Sequence, residues 1–439
     1  MKNRTLIKEL QNKVGEEVTI AGWMHRIRNL GKVAFVLLRD RSGMVQCVLN
    51  PTEIEIIKYL QVESVLKIKG LVVQTPKGDA VEIQANSIEV ISPVKEMIPV
   101  EINKDEIDAH METLIDHRPV SLRHPKQQAL FKVQAGILES FRSAMKEEGF
   151  TEFRSPVLMG APSESGASVF EVKYFEDKAY LAQSPQVYKQ IMVGVFERAF
   201  TVTPVFRAEK HNTTRHLMEF TQMDGEMGFV EDYDEVLEVV ENVVRKVISH
   251  LSQNYSEELE LWNAQLPKLP EGRFPKVKVK YALEVIENRT GKSAKREELD
   301  LNPEDEKEIG KWALEMYNSD FLWLLNFKKD KNFYTWNNPE DADESLSFDL
   351  ECRGFEWLSG THRIHDYEKL LENMNAQGLT LEHYEHYLEA FKYGIPSEAG
   401  FSLGLERMTQ QILQLKNIRE ATLFPSDLDR IAGQKIVRK

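Results

Sequence analysis

Between residues 18 and 48, "VTIAGWMHRIRNLGKVAFVLLRDRSGMVQCV", short runs of β-branched and aromatic residues alternate with polar positions and break at "NLGK" and "DRSG". Alternation with a period of two, bounded by turn residues, predicts strands. Two further runs of this kind, "ESVLKIKGLVVQTP" and "AVEIQANSIEVIS", come after a short helical patch around "PTEIEIIKYL". Together they predict five short strands within residues 1–92.

Five short strands in so short a span predict a small closed β-barrel of the oligonucleotide-binding (OB) type. A fold hosts many functions, so this barrel either binds nucleic acid or docks a protein. Residues 93–125 are polar, carry Pro93, Pro99, Pro119 and Pro125, and predict a hinge or linker. From 126 to 150 the period becomes helical, with Leu130, Val133, Ile137 and Phe141 on one face and Gly149 placed to end the helix. Strand patterns dominate up to about 230 and are followed by an amphipathic helix in "DYDEVLEVVENVVRKVISHL". Residues 256–340 are charged and irregular and predict an insertion. Strands return near "ESLSFDLECRGFEWLSG", and helices close the chain. This order predicts an α+β second domain over 126–439, built on an antiparallel sheet flanked by helices.

Composition narrows the function classes. With 439 residues, 42% hydrophobic and 29% charged, the chain has the length for two or more globular domains. No run approaches the roughly 18 apolar residues of a membrane span, and the opening "MKNRTLIKEL" lacks the apolar stretch of a secretory signal. The two cysteines, Cys47 and Cys352, are too few and too far apart in sequence for a zinc cluster or a disulfide framework. These features fit a reducing cytoplasm, no membrane, and a metal held by oxygen ligands. The net charge of −14 opposes polyanion binding by the chain as a whole, but residues 1–90 hold 13 Lys and Arg against 10 Asp and Glu. A mildly basic module on an acidic body permits local binding of a polyanion.

Candidate chemistry gathers at "FRAEKHNTTRHLMEF", residues 206–220, a polar loop between two strand patterns. In the second strand the period of two sets Gln222, Asp224 and Glu226 on one face, and Met223, Gly225, Met227 and Phe229 on the other. The polar face is either a salt-bridged surface or the floor of a pocket. In "SFDLECRGFEWLSGTHRIH" a turn at Arg353-Gly354 brings Asp349 and Glu356 together as hard oxygen ligands suited to Mg²⁺. In "AGFSLGLERMTQQIL" Gly400 and Gly404 precede a helix whose first turns hold Arg407, a place that favours phosphate.

Taken in order, "GFTEFRSPVL" (149–158), "FRAE…RHLMEF" and "SLGLER" (402–407) resemble the three signature motifs of class II aminoacyl-tRNA synthetases. With the N-terminal barrel, the resemblance spans nearly the whole chain. "YFEDKAYLAQSPQVYKQIMVGVFERAF" and "SFDLECRGFEWLSG" are most similar to aspartyl-tRNA synthetases of the archaeal-type branch. The resemblance implies a homodimer joined through the motif 1 region around Pro156, with ATP and Mg²⁺ used to activate L-aspartate.

Residue by residue, the resemblance implies that Arg207 contacts the α-phosphate and the attacking carboxylate. Arg215 and Arg407 take the γ-phosphate side, and Glu209 hydrogen-bonds adenine between Phe220 and Arg407. His216, Leu217 and Gly404 belong to the same ATP set. Asp349, Glu356 and Ser359 fall where the family binds Mg²⁺, which makes Arg207, Arg407 and Glu356 the catalytic group. Aspartate and asparagine are nearly isosteric, so a positive site must distinguish them. Lys189 and Arg363 occupy the positions that supply it, and asparaginyl enzymes usually lack that lysine. Glu164 matches a mobile-loop glutamate that closes on the substrate ammonium group, with Ser184, Gln186, Asp224 and Ser359 lining the same pocket.

In the barrel, Phe35 and Gln46 match residues that hold the central anticodon base, and Glu82 matches their acidic partner. Stacking on an aromatic ring suits an unpaired nucleotide. His25, two residues after Trp23, resembles enzymes that accept both tRNA(Asp) and tRNA(Asn). The chain departs from the family at Thr361 and His362, in "SGTHRIH" against the usual "SGGQRIH", and at Ser426, where an arginine is usual. Alternatives are an asparaginyl-tRNA synthetase, or a synthetase-like paralogue acting as an amide ligase or an RNA-binding regulator.

Overall fold

The computed structural model describes residues 4–75, 78, 80–164, 168–210, 213–292, 298–329 and 332–437. The chain forms two compact units, residues 1–124 and 125–439.

In the first unit, strands Glu17–Asn29, Ala34–Asp40, Gly43–Leu49, Val65–Gln74 and Val81–Ser92 close into a barrel. The alternation in the sequence sorts their side chains. Ile20, Met24, Val36, Leu38, Cys47, Leu66, Ile68 and Ile83 pack inside, while Phe35, Gln46 and Glu82 face outward. Helix Pro51–Ile57 is set by proline in its first turn and by Asn50, whose side chain accepts from the Thr52 N–H at 3.1 Å. Residues 93–124 carry two short helices, Met111–Asp116 and Arg118–Ser121, and bury Val100, Ile102 and Ile115.

The second unit is built on an eight-stranded sheet. Its order is Lys276–Lys278, Phe321–Leu325, Ser347–Cys352, Glu356–His362, Glu398–Gly404, Glu219–Gly228, Arg198–Phe206 and Thr151–Glu152. Every pairing is antiparallel except the outermost at each edge, which are parallel. Helices Pro125–Glu147 and Asp234–Asn254 cover one face, packing Leu130, Val133, Ile137, Phe141, Val240 and Val244 on Phe200, Met223 and Trp323. The helical period in both segments dictates this, since each presents one apolar stripe. The opposite face of the sheet is polar, and it forms the site.

Two expectations are corrected. Residues 256–340 are not irregular: they form helices Ser256–Leu261, Val279–Thr290 and Pro303–Tyr317 and two strands of the main sheet. Their high charge belongs to solvent-facing helix sides, while Val279, Leu283, Ile309 and Trp312 make a buried cluster of their own. Phe229 does not continue the apolar strand face on which the period of two sets it with Met223 and Met227. The strand ends at Gly228, Phe229 turns out with φ +60°, and the residue is 68% exposed.

Candidate active site

Cross-strand register builds the floor of the site. Asp349 pairs with Ser359, Ser359 with Ser402, Ser402 with Asp224, and Asp224 with Thr201, so one polar row crosses five strands. The next row runs Ser347, Thr361, Gly400, Glu226 and Ala199. Directly opposed residues share a face. Glycine is required at 400, because a Cβ there would lie 1.9 Å from the Glu226 carboxylate.

Above this floor lies a cleft of about 390 Å³. Every residue expected to contact ATP or the amino acid lines it: Glu164, Ser184, Gln186, Lys189, Arg207, Glu209, Arg215, His216, Leu217, Phe220, Asp224, Glu356, Ser359, Arg363, Gly404 and Arg407. Asp349 lies in the floor row beside Ser359 and outside the lining set.

One end of the cleft is rich in arginine. Arg207 sits 5.5 Å from the Phe220 ring and 3.6 Å from Glu164, and its buried Nε has no hydrogen-bond partner among the described residues. Arg215 donates to Glu306 at 2.7 Å and lies 4.2 Å from the Phe355 ring. Arg407, in the first turn of helix Leu405–Ile412, pairs with Glu356 at 2.8 Å. Two further carboxyls, Asp349 and Glu351, lie buried within electrostatic reach of Glu306, Glu356 and these two arginines. Burial, with the negative charge of Glu356 second, pushes the Asp349 carboxyl well above its usual range. Burial does the same to Glu351. The cluster therefore lacks positive charge, and Asp349, Glu356 and the Ser359 hydroxyl are the hard oxygen donors a divalent cation takes. Among the described residues no three Asp, Glu, His or Cys side chains converge on one point.

At the other end two cations are buried. Lys189, on helix Gln186–Phe196, lies 3.0 Å from Asp224 and 3.2 Å from Glu226 and donates to the Phe401 carbonyl at 3.1 Å. Arg363 donates to Glu226 at 2.7 and 3.3 Å and to the Gly400 carbonyl at 3.2 Å. Beside them, Thr361 lines the cleft and donates its hydroxyl to the His362 carbonyl at 2.9 Å. His362 points away, with its Nε2 3.0 Å from the Ser397 hydroxyl, and burial pushes its pKa down to about 4, so the ring is neutral at pH 7. Ser426 donates to Glu219 at 3.2 Å, and its carbonyl accepts from the Met218 N–H at 3.2 Å, fastening the C-terminal segment to the 206–220 hairpin.

Sequence reasoning selected Asp224 from the polar strand face and passed over its neighbours Gln222 and Glu226. Gln222 lines the cleft, and Glu226 joins the two cations. The same period of two that found Asp224 applies to both. Glu306, the partner of Arg215, carried no such signal.

On the barrel, Gln46 donates to Glu82 at 2.9 Å, and Phe35 shares their outer surface. His25 is not on that surface. It is 2% exposed, lies 3.7 Å from Glu63, and stands beside the buried Arg39–Glu63 pair. It lies within the strand irregularity between Met24 and Arg26, where the register shifts.

The chain belongs to the class II tRNA synthetases of the D, K and N type, whose model matches residues 110–428, and residues 18–91 match the OB-fold nucleic acid binding domain. Among curated relatives it is similar to the aspartate–tRNA(Asp/Asn) ligase of Thermus thermophilus, 41% identical over 98% of this chain and 99% of the relative. The aspartate–tRNA(Asp) ligase of Thermococcus kodakarensis is 37% identical over 95% of this chain and 96% of its own. Among solved structures, the asparaginyl-tRNA synthetase of Pyrococcus horikoshii complexed with asparaginyl-adenylate superposes with a TM-score of 0.88, at 29% identity over 98% of this chain and all of that one. Among the described residues no helix is long and apolar enough to cross a membrane.

Proposed function

We propose that this protein is an aspartate–tRNA ligase that activates L-aspartate with ATP and transfers it to the 3′ end of tRNA. The observation that carries the amino-acid choice is the burial of Lys189 and Arg363 side by side in a cleft whose opposite end holds Arg207, Arg215 and Arg407.

In the first step an oxygen of the aspartate α-carboxylate attacks the α-phosphorus of ATP, and the bond to pyrophosphate breaks. No side chain serves as nucleophile, so catalysis is alignment plus neutralisation of charge growing on phosphate oxygens. Arg207 bridges the attacking carboxylate and the α-phosphate; its partnerless buried Nε supports that role. Arg215 and Arg407 take the outer phosphates by exchanging Glu306 and Glu356 for them. Glu209 and Phe220 hold adenine. Asp349, Glu356 and Ser359 would hold Mg²⁺, which when bound neutralises phosphate charge and favours pyrophosphate as leaving group. In the second step a 3′-terminal hydroxyl of tRNA attacks the adenylate carbonyl carbon, and AMP leaves.

Lys189 and Arg363 receive the β-carboxylate, while Glu164 and Asp224 take the ammonium group. A neutral amide gains less from two buried cations than a carboxylate does, which favours aspartate over asparagine. Phe35, Gln46 and Glu82 read the anticodon loop. Acceptance of both tRNA(Asp) and tRNA(Asn) is supported by the histidine at position 25 and by the likeness to the Thermus relative, an aspartate–tRNA(Asp/Asn) ligase. A homodimer through the motif 1 region is supported by Thr151–Glu152 forming one edge of the sheet and by Leu158 being 44% exposed.

ATP–pyrophosphate exchange across all twenty amino acids tests this reading. Exchange strongest with aspartate is expected; exchange strongest with asparagine, or none with aspartate, contradicts it.

A further inference from the structure

Beneath the amino-acid end of the cleft lie three buried carboxyls, Asp224, Glu226 and Glu398, and two buried cations, Lys189 and Arg363. The cations divide their bonds unevenly. Lys189 meets Asp224 and Glu226, and Arg363 meets Glu226 twice. Neither side chain makes an ion pair with Glu398. Glu398 is fully buried at the start of strand Glu398–Gly404. One of its oxygens, Oε1, accepts from Gln190 Nε2 at 2.6 Å, and Oε2 has no hydrogen-bond partner among the described residues.

Gln190 cannot reverse its amide to suit a different Glu398. Its carbonyl oxygen already accepts from Gln186 Nε2 at 2.9 Å and from the Tyr387 hydroxyl at 3.0 Å. The result is a buried chain from Glu398 through Gln190 to Gln186, which lines the cleft. A buried carboxylate with one neutral donor and no ion-paired cation is strongly disfavoured, so the group takes a proton instead. Charge balance agrees: Lys189 and Arg363 offset Asp224 and Glu226, whereas an ionised Glu398 would set one uncompensated negative charge beneath a pocket that must receive a carboxylate.

We infer that Glu398 is a specificity-determining positioning residue for aspartate, acting as a neutral carboxylic acid that keeps the pocket from turning negative and fixes Gln186 through Gln190. The groups facing it are Lys189 on helix Gln186–Phe196, Glu226 on strand Glu219–Gly228, Arg363 just after strand Glu356–His362, and Tyr387 on helix Glu385–Lys392. Burial, with the charge of Glu226 second, holds the Glu398 carboxyl well above its usual range, in the same direction as the geometry.

This inference rests on the aspartate-ligase reading, and one set of measurements separates their failures. ATP–pyrophosphate exchange is followed from neutral to alkaline pH, with aspartate and with asparagine as substrates, for the wild type and Glu398→Gln. The expected wild-type result is a KM for aspartate that rises with pH by up to about tenfold per unit, the limit for binding that requires one proton. The KM for ATP and any use of asparagine should stay flat. Glu398→Gln, neutral at every pH, should match the wild type at pH 7 within about twofold and lose the alkaline rise. A Glu398→Gln protein with wild-type ATP binding and badly impaired aspartate use at pH 7, or one that keeps the alkaline rise, overturns the inference. Should that variant not fold, Gln190→Met carries the test: a raised KM for aspartate with an unchanged KM for ATP is expected, and equal losses in both overturn it. Absence of any aspartate-dependent exchange in the wild type instead refutes the ligase reading itself.

Discussion

Lys189 and Arg363, 174 positions apart in the chain, close on one carboxylate, that of Glu226, at 3.2 and 2.7 Å. Glu226 holds the two cations beside each other against their repulsion, and Gly400 beneath it leaves the space its carboxylate needs. On the proposed reading, a substrate β-carboxylate would meet a preassembled cation pair.

Removing one member of this set leaves buried charge uncompensated. Lys189→Leu is expected to lower stability by about 3–5 kcal/mol, the usual consequence of breaking a buried ion pair from one side. Urea denaturation measures this. In the protein that remains folded, the KM for aspartate should rise far more than the KM for ATP, and equal rises in both would refute the proposed role of Lys189.

Arg407 is different, because its side chain is 29% exposed and its partner Glu356 is 34% exposed. Arg407→Ala should keep the fold and reduce the maximal rate of aspartate-dependent exchange by about 10²–10³, the scale for losing one transition-state charge contact. A rate within threefold (roughly) of wild type would place the phosphates elsewhere.

The oxygen-donor set near Asp349 predicts a metal effect. Asp349→Asn should raise the Mg²⁺ concentration needed for half-maximal exchange by about tenfold or more, comparable with the loss of a supporting group around a metal. A magnesium titration at saturating ATP reads this directly, and an unchanged requirement would remove Asp349 from the site.

His362 supplies a pH dependence of stability. Its pKa falls to about 4 in the folded protein because burial disfavours the charged ring, against about 6.5 in an unfolded chain. A depressed folded value means that the contribution is fully present above pH 6.5 (about) and is lost as pH falls towards 4, up to about 3 kcal/mol in all. Denaturation midpoints of wild type and His362→Gln should diverge over that window. Parallel curves would show that His362 does not carry the effect.

Much of this architecture was legible in the chain. The period of two gave the barrel strands and the polar face holding Gln222, Asp224 and Glu226, and the helical period gave the two helices that cover the sheet. The family motifs placed the cleft residues. The relationships that were not legible are contacts across long separations between residues with ordinary local signals. Arg215 and Glu306 are 91 positions apart, and Gln190 and Glu398 are 208 apart. The burial of His25 against Glu63 was not legible either, since alternation carries no sign of the register shift between Met24 and Arg26. The helices within 256–340 were masked by the many charged residues interleaved with their apolar stripes, Val279, Ala282, Leu283 and Ile286 in one and Ile309, Trp312 and Ala313 in the other.

On the barrel, Phe35→Ala should weaken tRNA charging while leaving aspartate-dependent pyrophosphate exchange unchanged, since base stacking on a ring contributes about 1–3 kcal/mol. Equal effects on both reactions would mean that Phe35 serves folding rather than tRNA.

The central claim is tested most directly by incubating the purified protein with ATP, Mg²⁺, labelled aspartate and purified tRNA(Asp) or tRNA(Asn), and measuring acid-precipitable label. Aspartyl-tRNA formed on both tRNAs, dependent on ATP and absent when labelled asparagine replaces aspartate, is the predicted result. No label on either tRNA with aspartate, or charging by asparagine in its place, would contradict the account.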